Sequence, residues 1–463
     1  MATVGGLDLH LDLSGHRVRV GLENALRDAI RAGRLRAGTR LPSSRALAAD
    51  LGVARNTVAE VYSQLVAEGW LTARTGSGTS VAERRTSAAP DTDHAARPET
   101  ATPRYDLRAG VPDLSAFPRR AWLATARRVL ATAPDRVLDY PDPQGLPQLR
   151  EALAGYLARA RGVVTDPGHI VICTGFAHGL AVICRALRAR GAGTLAVEAY
   201  GHQTHREIAL AQGLRLLPLP VDGHGADLGE AAGTDAVLLT PAHQFPLGVT
   251  LHPRRRREAA RWGGVVIEDD YDGEFRYDRQ PVGALQALAP DRVVYAGTAS
   301  KSLAPSLRLG WLVVPPRLLE AVAAQLAAGP SALDQLTLAE FIASGGYDRQ
   351  VRRARLAYRR RRDRLAAALG RRGRHVTGIA AGLHAVLDLP GTETERLVIA
   401  RAAGHGLALT GLESYRAAGA GPAADGERAG LVIGYGRPPE HAYTTALARL
   451  CAVVSQDDSP ANR

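Results

Sequence analysis

Of the 58 lysines and arginines in this chain of 463 residues, 57 are arginine; the exception is Lys301. Arginine cannot stand in where an amine must lose its proton and attack a carbonyl. A guanidinium stays charged, whereas a desolvated ammonium can be driven to neutrality. Lys301 follows an apolar run and a Gly/Ser/Thr-rich turn, with Ser300 beside it and Arg308 seven residues on. A hydroxyl and a guanidinium at that spacing suit a phosphate group. Together these residues point to a Schiff-base lysine holding pyridoxal 5′-phosphate (PLP). The competing reading is a surface lysine with no chemistry.

Two further stretches offer matching groups. Thr174-Gly175 ends an apolar run and opens a helical stretch at Phe176, where free amides and a positive dipole end favour an anion. An ordinary strand-to-helix turn has the same look. Residues 265–272, Val-Val-Ile-Glu-Asp-Asp-Tyr-Asp, put carboxylates just past a buried strand. A carboxylate there can pair with a pyridinium nitrogen. A magnesium site of a nucleotide hydrolase is the rival, but it needs a phosphate loop carrying a lysine, and the only lysine lies in Thr-Ala-Ser-Lys-Ser. Acidic residues capping a turn are the plainer alternative. His243 either touches the cofactor or is a satisfied loop residue. Cys173, Cys184 and Cys451 have no metal-ligand spacing, so no metal site and no disulfide framework is expected.

The elements that must position these groups alternate. Apolar runs at 169–173, 194–198, 236–240, 264–268 and 292–296 are separated by amphipathic stretches such as 149–161 and 176–190. That rhythm predicts a mostly parallel sheet covered on both faces, with ligands at the carboxyl ends of its strands.

The first 82 residues have a different texture. Apolar positions at helical spacing predict helices over 20–32 and 54–68, with a shorter one between them capped by Ser43 and ending at Leu51. A hairpin with a Gly-rich tip follows over 70–81. Helix, helix, glycine turn, helix and hairpin is the order of a winged helix-turn-helix. Arg55 can pair with guanine and Asn56 with adenine. Thr57 suits phosphates, and Thr75-Gly76 at the wing tip can approach a groove closely. A helical protein-interaction module would carry the same periodicity. Residues 83–103 have no periodic apolar face and read as a flexible linker.

A formal charge of +12 favours a polyanionic partner. The arginine runs at 254–257 and 352–364 are more in keeping with solvated or subunit-facing helices. No signal pattern and no long apolar run is present, so a cytoplasmic protein that does not enter the membrane is expected.

The wording of the first 82 residues resembles the GntR family of DNA-binding domains: Gly-Thr-Arg-Leu-Pro-Ser-Ser-Arg-Ala-Leu-Ala-Ala-Asp-Leu-Gly-Val-Ala-Arg-Asn-Thr-Val, then Leu-Val-Ala-Glu-Gly-Trp-Leu and a Gly-Ser-Gly-Thr wing. The resemblance implies DNA contacts at Arg45, Arg55, Asn56, Thr57, Thr75 and Gly76. Ala54 stands where such domains often have Ser or Thr, which removes a cap. Residues 104–455 resemble the fold-type I aminotransferases, with a smaller C-terminal α+β subdomain at about 317–455. By that resemblance Lys301 forms the Schiff base, Asp269 meets the pyridine nitrogen and Tyr271 the ring hydroxyl. Thr174, Gly175, Ser300 and Arg308 hold the phosphate, with Phe176, His202 and His243 nearby. The fusion is similar to the MocR/GabR subfamily of transcriptional regulators, which carries close matches to 240–248, 267–277 and 299–310. The resemblance implies a multidomain α/β protein, PLP as cofactor, an operator in double-stranded DNA, PLP or its adduct with an amine as signal, and a head-to-tail homodimer. There are departures. His202 replaces a usual Tyr, and Phe176 replaces a usual hydroxyl residue. Phe245 takes the place of an Asn, and Val432 that of the arginine that clamps a substrate carboxylate in aminotransferases. That last change argues against a working aminotransferase with an accessory head.

Overall fold

The computed structural model describes residues 18–74, 78–83, 103–277, 282–327, 329–421 and 428–455. The chain divides into two compact units, Met1–Ala101 and Thr102–Arg463.

In the first unit, helix α1 (Val18–Arg31) precedes α2 (Ser44–Leu51), α3 (Arg55–Ala67) and a hairpin of Leu71–Arg74 with Gly78–Val81. Leu22, Leu26, Leu47, Val58, Val61 and Leu65 are wholly buried in one core. At about 1.5–3 kcal/mol per side chain this burial, rather than propensity, holds such short helices. Ser43 caps α2 by accepting a hydrogen bond from the Ala46 amide at 3.2 Å. Ala54 precedes α3 with no side-chain cap, and the Tyr62 hydroxyl instead ties α3 to the Pro42 carbonyl.

The second unit is built on a seven-stranded sheet. From edge to edge its strands are Ile170–Cys173, Gly310–Val313, Val293–Thr298, Val265–Asp269, Ala236–Leu239, Thr194–Glu198 and Arg215–Leu219. Only Gly310–Val313 runs antiparallel to its neighbours. Six carboxyl ends and one amino end therefore meet at a single edge of the sheet. Helices cover both faces, and strands such as Val265–Asp269 are buried throughout, as a sheet covered on both sides requires. The edge strand Arg215–Leu219 contains Pro218, which a central strand would not tolerate.

A second, four-stranded sheet joins Val376–Thr377, His384–Leu389, Ala429–Gly434 and Thr410–Gly411 in that order. It packs with the long helix Gly346–Gly370 and the helices Thr392–Gly404 and Glu440–Ser455 around one apolar core. Tyr105–Asp106, near the start of the unit, pairs with Leu407–Ala408 beside it. Among the described residues no helix is long and apolar enough to cross a membrane.

Candidate cofactor pocket and DNA-binding head

Lys301 lies just past the carboxyl end of Val293–Thr298, in a turn anchored by Thr298, whose hydroxyl is 2.8 Å from that of Ser300. Its Nζ donates to the Gly110 carbonyl at 2.5 Å. Burial lowers the lysine pKa, with Asp269 and Asp272 opposing. A neutral, nucleophilic amine is thereby made more accessible.

Lys301 faces a cleft whose wall includes Gly175, Asp269, Tyr271, Ser300 and Arg308. They arrive from four strand ends: Gly175 after Ile170–Cys173, Asp269 and Tyr271 at the end of Val265–Asp269, Ser300 after Val293–Thr298, and Arg308 before Gly310–Val313. Gly175 (φ 102) caps the helix Phe176–Ala189, so that helix directs its amide end at the cleft. A Cβ on Gly310 would lie 2.9 Å from the Gly175 Cα, which is why two glycines meet there. Arg308 is the one non-glycine residue with positive φ among those described (φ 52). This kink turns its guanidinium toward Gly175, 3.7 Å from where a Cβ would sit.

The acidic stretch separates into distinct jobs. Glu268 accepts from the Leu285 and Gln286 amides at 2.7 and 2.9 Å. Asp270 is paired with the buried Arg161, Oδ2 to Nε 2.6 Å, and accepts from the Tyr295 hydroxyl. Asp272 bonds His243 Nδ1 at 2.8 Å. Asp269 alone faces the cleft, and no described residue hydrogen-bonds its carboxyl. Burial pushes its pKa well above the usual range, with Lys301 opposing. A buried carboxyl without a partner, a desolvated lysine, and a glycine cradle flanked by an arginine fit the ring nitrogen, aldehyde and phosphate of PLP.

Phe176 is on the wall. His202 is also there, stacked on Phe245 with ring centroids 4.1 Å apart and planes 9° apart; burial pulls its pKa down to about 4. His243 is behind the wall, its Nδ1 3.1 Å from the Tyr271 hydroxyl. Thr174 is off the wall, its amide donating to His178 Nδ1. Val432 is wholly buried and pairs with Val386 in the smaller sheet. The wall arginines are Arg206 and Arg308. Arg206 is spent on the carbonyls of Gly201, Tyr415 and Arg416. Arg437 pairs with Asp106, and Arg416 donates to Ala420 and Gly421 carbonyls.

Glu198, His205 and Thr240 also line the cleft and were not anticipated from the sequence. Glu198 accepts from the Thr240 hydroxyl at 2.5 Å and from Gln244 at 3.2 Å. Both Glu198 and Thr240 lie at strand ends, which was the available signal.

In the head, Arg45, Arg55 and Asn56 are exposed at the amino ends of α2 and α3, and Thr57 is half-buried. Thr75 and Gly76 lie outside the described residues. Of the arginine runs, Arg255 pairs with Asp222 at 2.6 Å and Arg256 donates to the Gly283 carbonyl. Arg361 is buried against Asp113 and Glu440. Much of that charge is structural.

Comparison with known proteins gives the relationships. Residues 19–81 match the family model "Bacterial regulatory proteins, gntR family", and residues 105–422 match "Aminotransferase class I and II". The chain is 33% identical over 473 residues to the HTH-type pyridoxine biosynthesis transcriptional regulator PdxR of Corynebacterium glutamicum, covering 97% of this chain and 99% of that one. It is 35% identical to the probable rhizopine catabolism regulatory protein MocR of Rhizobium meliloti, over 79% of each chain. Among solved structures, an archaeal alanine:glyoxylate aminotransferase matches with a TM-score of 0.68 at 24% identity, over 77% of this chain and 91% of that one. The kynurenine aminotransferase of Pyrococcus horikoshii matches with a TM-score of 0.67 at 23% identity, over 78% and 93%. These structural likenesses establish the fold of the second unit, fold type I. A GntR-type head followed by an aminotransferase-like body, in one chain similar to such regulators from end to end, places this protein in the MocR/PdxR-type group of helix-turn-helix transcriptional regulators.

Proposed function

We propose that this regulator binds PLP in the cleft at Lys301 and that the state of this ligand sets how the head engages its operator. The observation that carries the reading is the convergence of the sole lysine, the unpartnered Asp269 and the Gly175–Arg308 cradle on one cleft.

Lys301 is the amine for covalent attachment. Asp269 meets the ring nitrogen and Tyr271 the ring hydroxyl. Gly175, Ser300 and Arg308 receive the phosphate, and the stacked His202–Phe245 pair borders the ring. When bound, PLP supplies an aldehyde that condenses with amines and a ring that withdraws electrons. The protein's part is to bind and orient the cofactor and, by burial, to favour the neutral form of the lysine. In the head, Arg55 and Asn56 read bases while Arg45 and Thr57 hold phosphates, with Thr75 and Gly76 as the wing contact. A head-to-tail homodimer in the cytoplasm would present two heads to a two-part operator. The chain is divided as a head over 1–82, a linker over 83–103 and the PLP-binding body over 104–455.

A working aminotransferase is the weaker reading. A substrate amino acid has to be held by its carboxylate as well as its amine, and Val432 offers no charge where that family places an arginine. The signal is therefore PLP itself or its adduct with an amine. The test is binding of the purified full chain to DNA upstream of its own and neighbouring genes, with and without PLP and candidate amines. Affinity that changes with PLP in the wild type and not in Lys301→Ala is expected. Identical affinity in every condition overturns the sensing role.

A further inference from the structure

Behind the cleft wall lies a buried group that the proposed cofactor contacts leave unused: Asp272, His243 and His384. The Asp272 and His243 side chains are 1% and 3% exposed. Asp272 Oδ2 and the Tyr271 hydroxyl lie 2.8 and 3.1 Å from the same nitrogen, His243 Nδ1. His384 packs its ring 4.9 Å from that of His243 and places Nε2 3.0 Å from the Pro246 carbonyl. Gly382 (φ +69) seals the other side so closely that a Cβ would lie 2.4 Å from Asp272 Oδ2 and from His243 Cε1.

The three ligand-type atoms fall within 4.8 Å of one another. Hydrogen bonds nevertheless already occupy His243 Nδ1 and His384 Nε2, so the group reads as a hydrogen-bonded cluster rather than a cation cage. One nitrogen carries one proton. A lone pair on Nδ1 facing a buried carboxylate at 2.8 Å would repel it, so Nδ1 bears the hydrogen and donates to Asp272. That nitrogen then has nothing to accept with, and the Tyr271 hydrogen must find another acceptor. The neighbouring carboxylate able to take it is Asp272, which shares that nitrogen. Burial first, then the Asp272 and Asp269 charges, hold the phenol protonated, and a hydrogen bond to Asp272 acts the same way. Glu198 also bears on this phenol, Lys301 lines the same cleft, and His384 packs against His243 behind it.

The geometry points to Asp272 and His243 as positioning residues for Tyr271: they fix the phenol at the cleft wall and engage its hydrogen, so its oxygen faces the cleft as an acceptor until an anionic ligand oxygen competes for that hydrogen. The inference rests on PLP occupying the cleft, and it adds a control over how strongly Tyr271 donates to the ring oxygen.

The experiment follows the pH titration of the bound cofactor's absorbance band in the PLP-loaded full chain, for wild type, Tyr271→Phe, Asp272→Asn and the double variant. Tyr271→Phe removes the donor to the ring oxygen and should raise the midpoint by about one pH unit. Asp272→Asn releases the phenol hydrogen toward the ligand and removes a negative charge, so it should lower the midpoint by about one pH unit. In the Tyr271→Phe background the Asp272→Asn effect should shrink to less than about half, because the route through the phenol is gone. An Asp272→Asn effect equal in both backgrounds, or none in either, overturns the positioning role while leaving the cofactor reading standing. A wild type with no cofactor band overturns both. Should Asp272→Asn fail to fold, His243→Asn and His243→Leu carry the comparison. Asn keeps an N–H near the Nδ1 position and should titrate like wild type, whereas Leu should shift. Equal behaviour of the two overturns the inference.

Discussion

Replacing Glu198 by Gln should stabilise the protein in mildly alkaline solution and leave it unchanged in acid. Burial pushes the Glu198 pKa from 4.5 to about 7, and hydrogen bonds from Thr240 and Gln244 offset only part of this. The folded chain thus holds this proton more tightly than the unfolded chain does. The stability the protonated group contributes is complete below pH 4.5 and is lost as pH rises through about 7. At about 1.4 kcal/mol per pH unit, ionised Glu198 costs about 3 kcal/mol above roughly pH 8. Glu268 and Glu274 are raised in the same direction by burial, so the wild type should lose stability for several reasons at once, and the substitution isolates one. The side-chain hydrogen bonds from Thr240 and Gln244 both end on Oε2, which a glutamine carbonyl can replace. The assay is thermal unfolding without added PLP, read through Trp122, Trp262 and Trp311 of the body. Glu198→Gln should melt roughly 4 °C higher than wild type at pH 8 and within about 1 °C of it at pH 4.5. A variant less stable than wild type at pH 8 would refute the reasoning, because it would mean that the carboxylate is ionised and satisfied where it stands.

The remaining predictions concern the head, the scaffold and turnover. Arg55→Ala should cost about 1–3 kcal/mol of operator binding and relax preference at one position, measured by competition with single-base operator variants; an unchanged preference removes Arg55 from base reading. Binding of the wild type should also weaken steeply with salt, since phosphate contacts release counterions. Arg161→Ala strands Asp270 in a site where both partners are at most 5% exposed, and should cost about 3–5 kcal/mol by denaturant unfolding. A loss below about 1 kcal/mol would show that Tyr295 alone satisfies that carboxyl. Amino acids and 2-oxo acids offered to the PLP-loaded protein should turn over more slowly than roughly 1 per second; faster multiple turnovers would promote the aminotransferase reading.

Lys301, Asp269, Tyr271, Arg308 and Gly175 were legible in the sequence as a set. An acidic residue at a strand end or a Gly before a helix is ordinary by itself, and it was the lone lysine among arginines that gave the combination its meaning. The parallel strands were legible as apolar runs. Arg215–Leu219 was not, because Pro218 argues against a strand and only its edge position permits it. Gly310–Val313 was hidden because its reversed direction places Arg308 at the same edge as the carboxyl ends of the other strands. The division of labour among Glu268, Asp269, Asp270 and Asp272 could not be read either. Their neighbours Arg161, His243 and Gln286 are distant in sequence, and adjacent carboxylates look alike until the fold aims each one. Glu198 was missed for a similar reason: its place at a strand end was the available signal, and it takes Thr240 and Gln244 beside it to give that place a meaning.

The central claim is tested most directly by locating the covalent link. The full chain is incubated with PLP, reduced with borohydride, digested and mapped. The sole side-chain amine is Lys301, so the account predicts one stoichiometric modification there, absent from a folded Lys301→Ala variant. Modification confined to the chain's N-terminal amine, or a wild type that takes up no PLP at all, would contradict it.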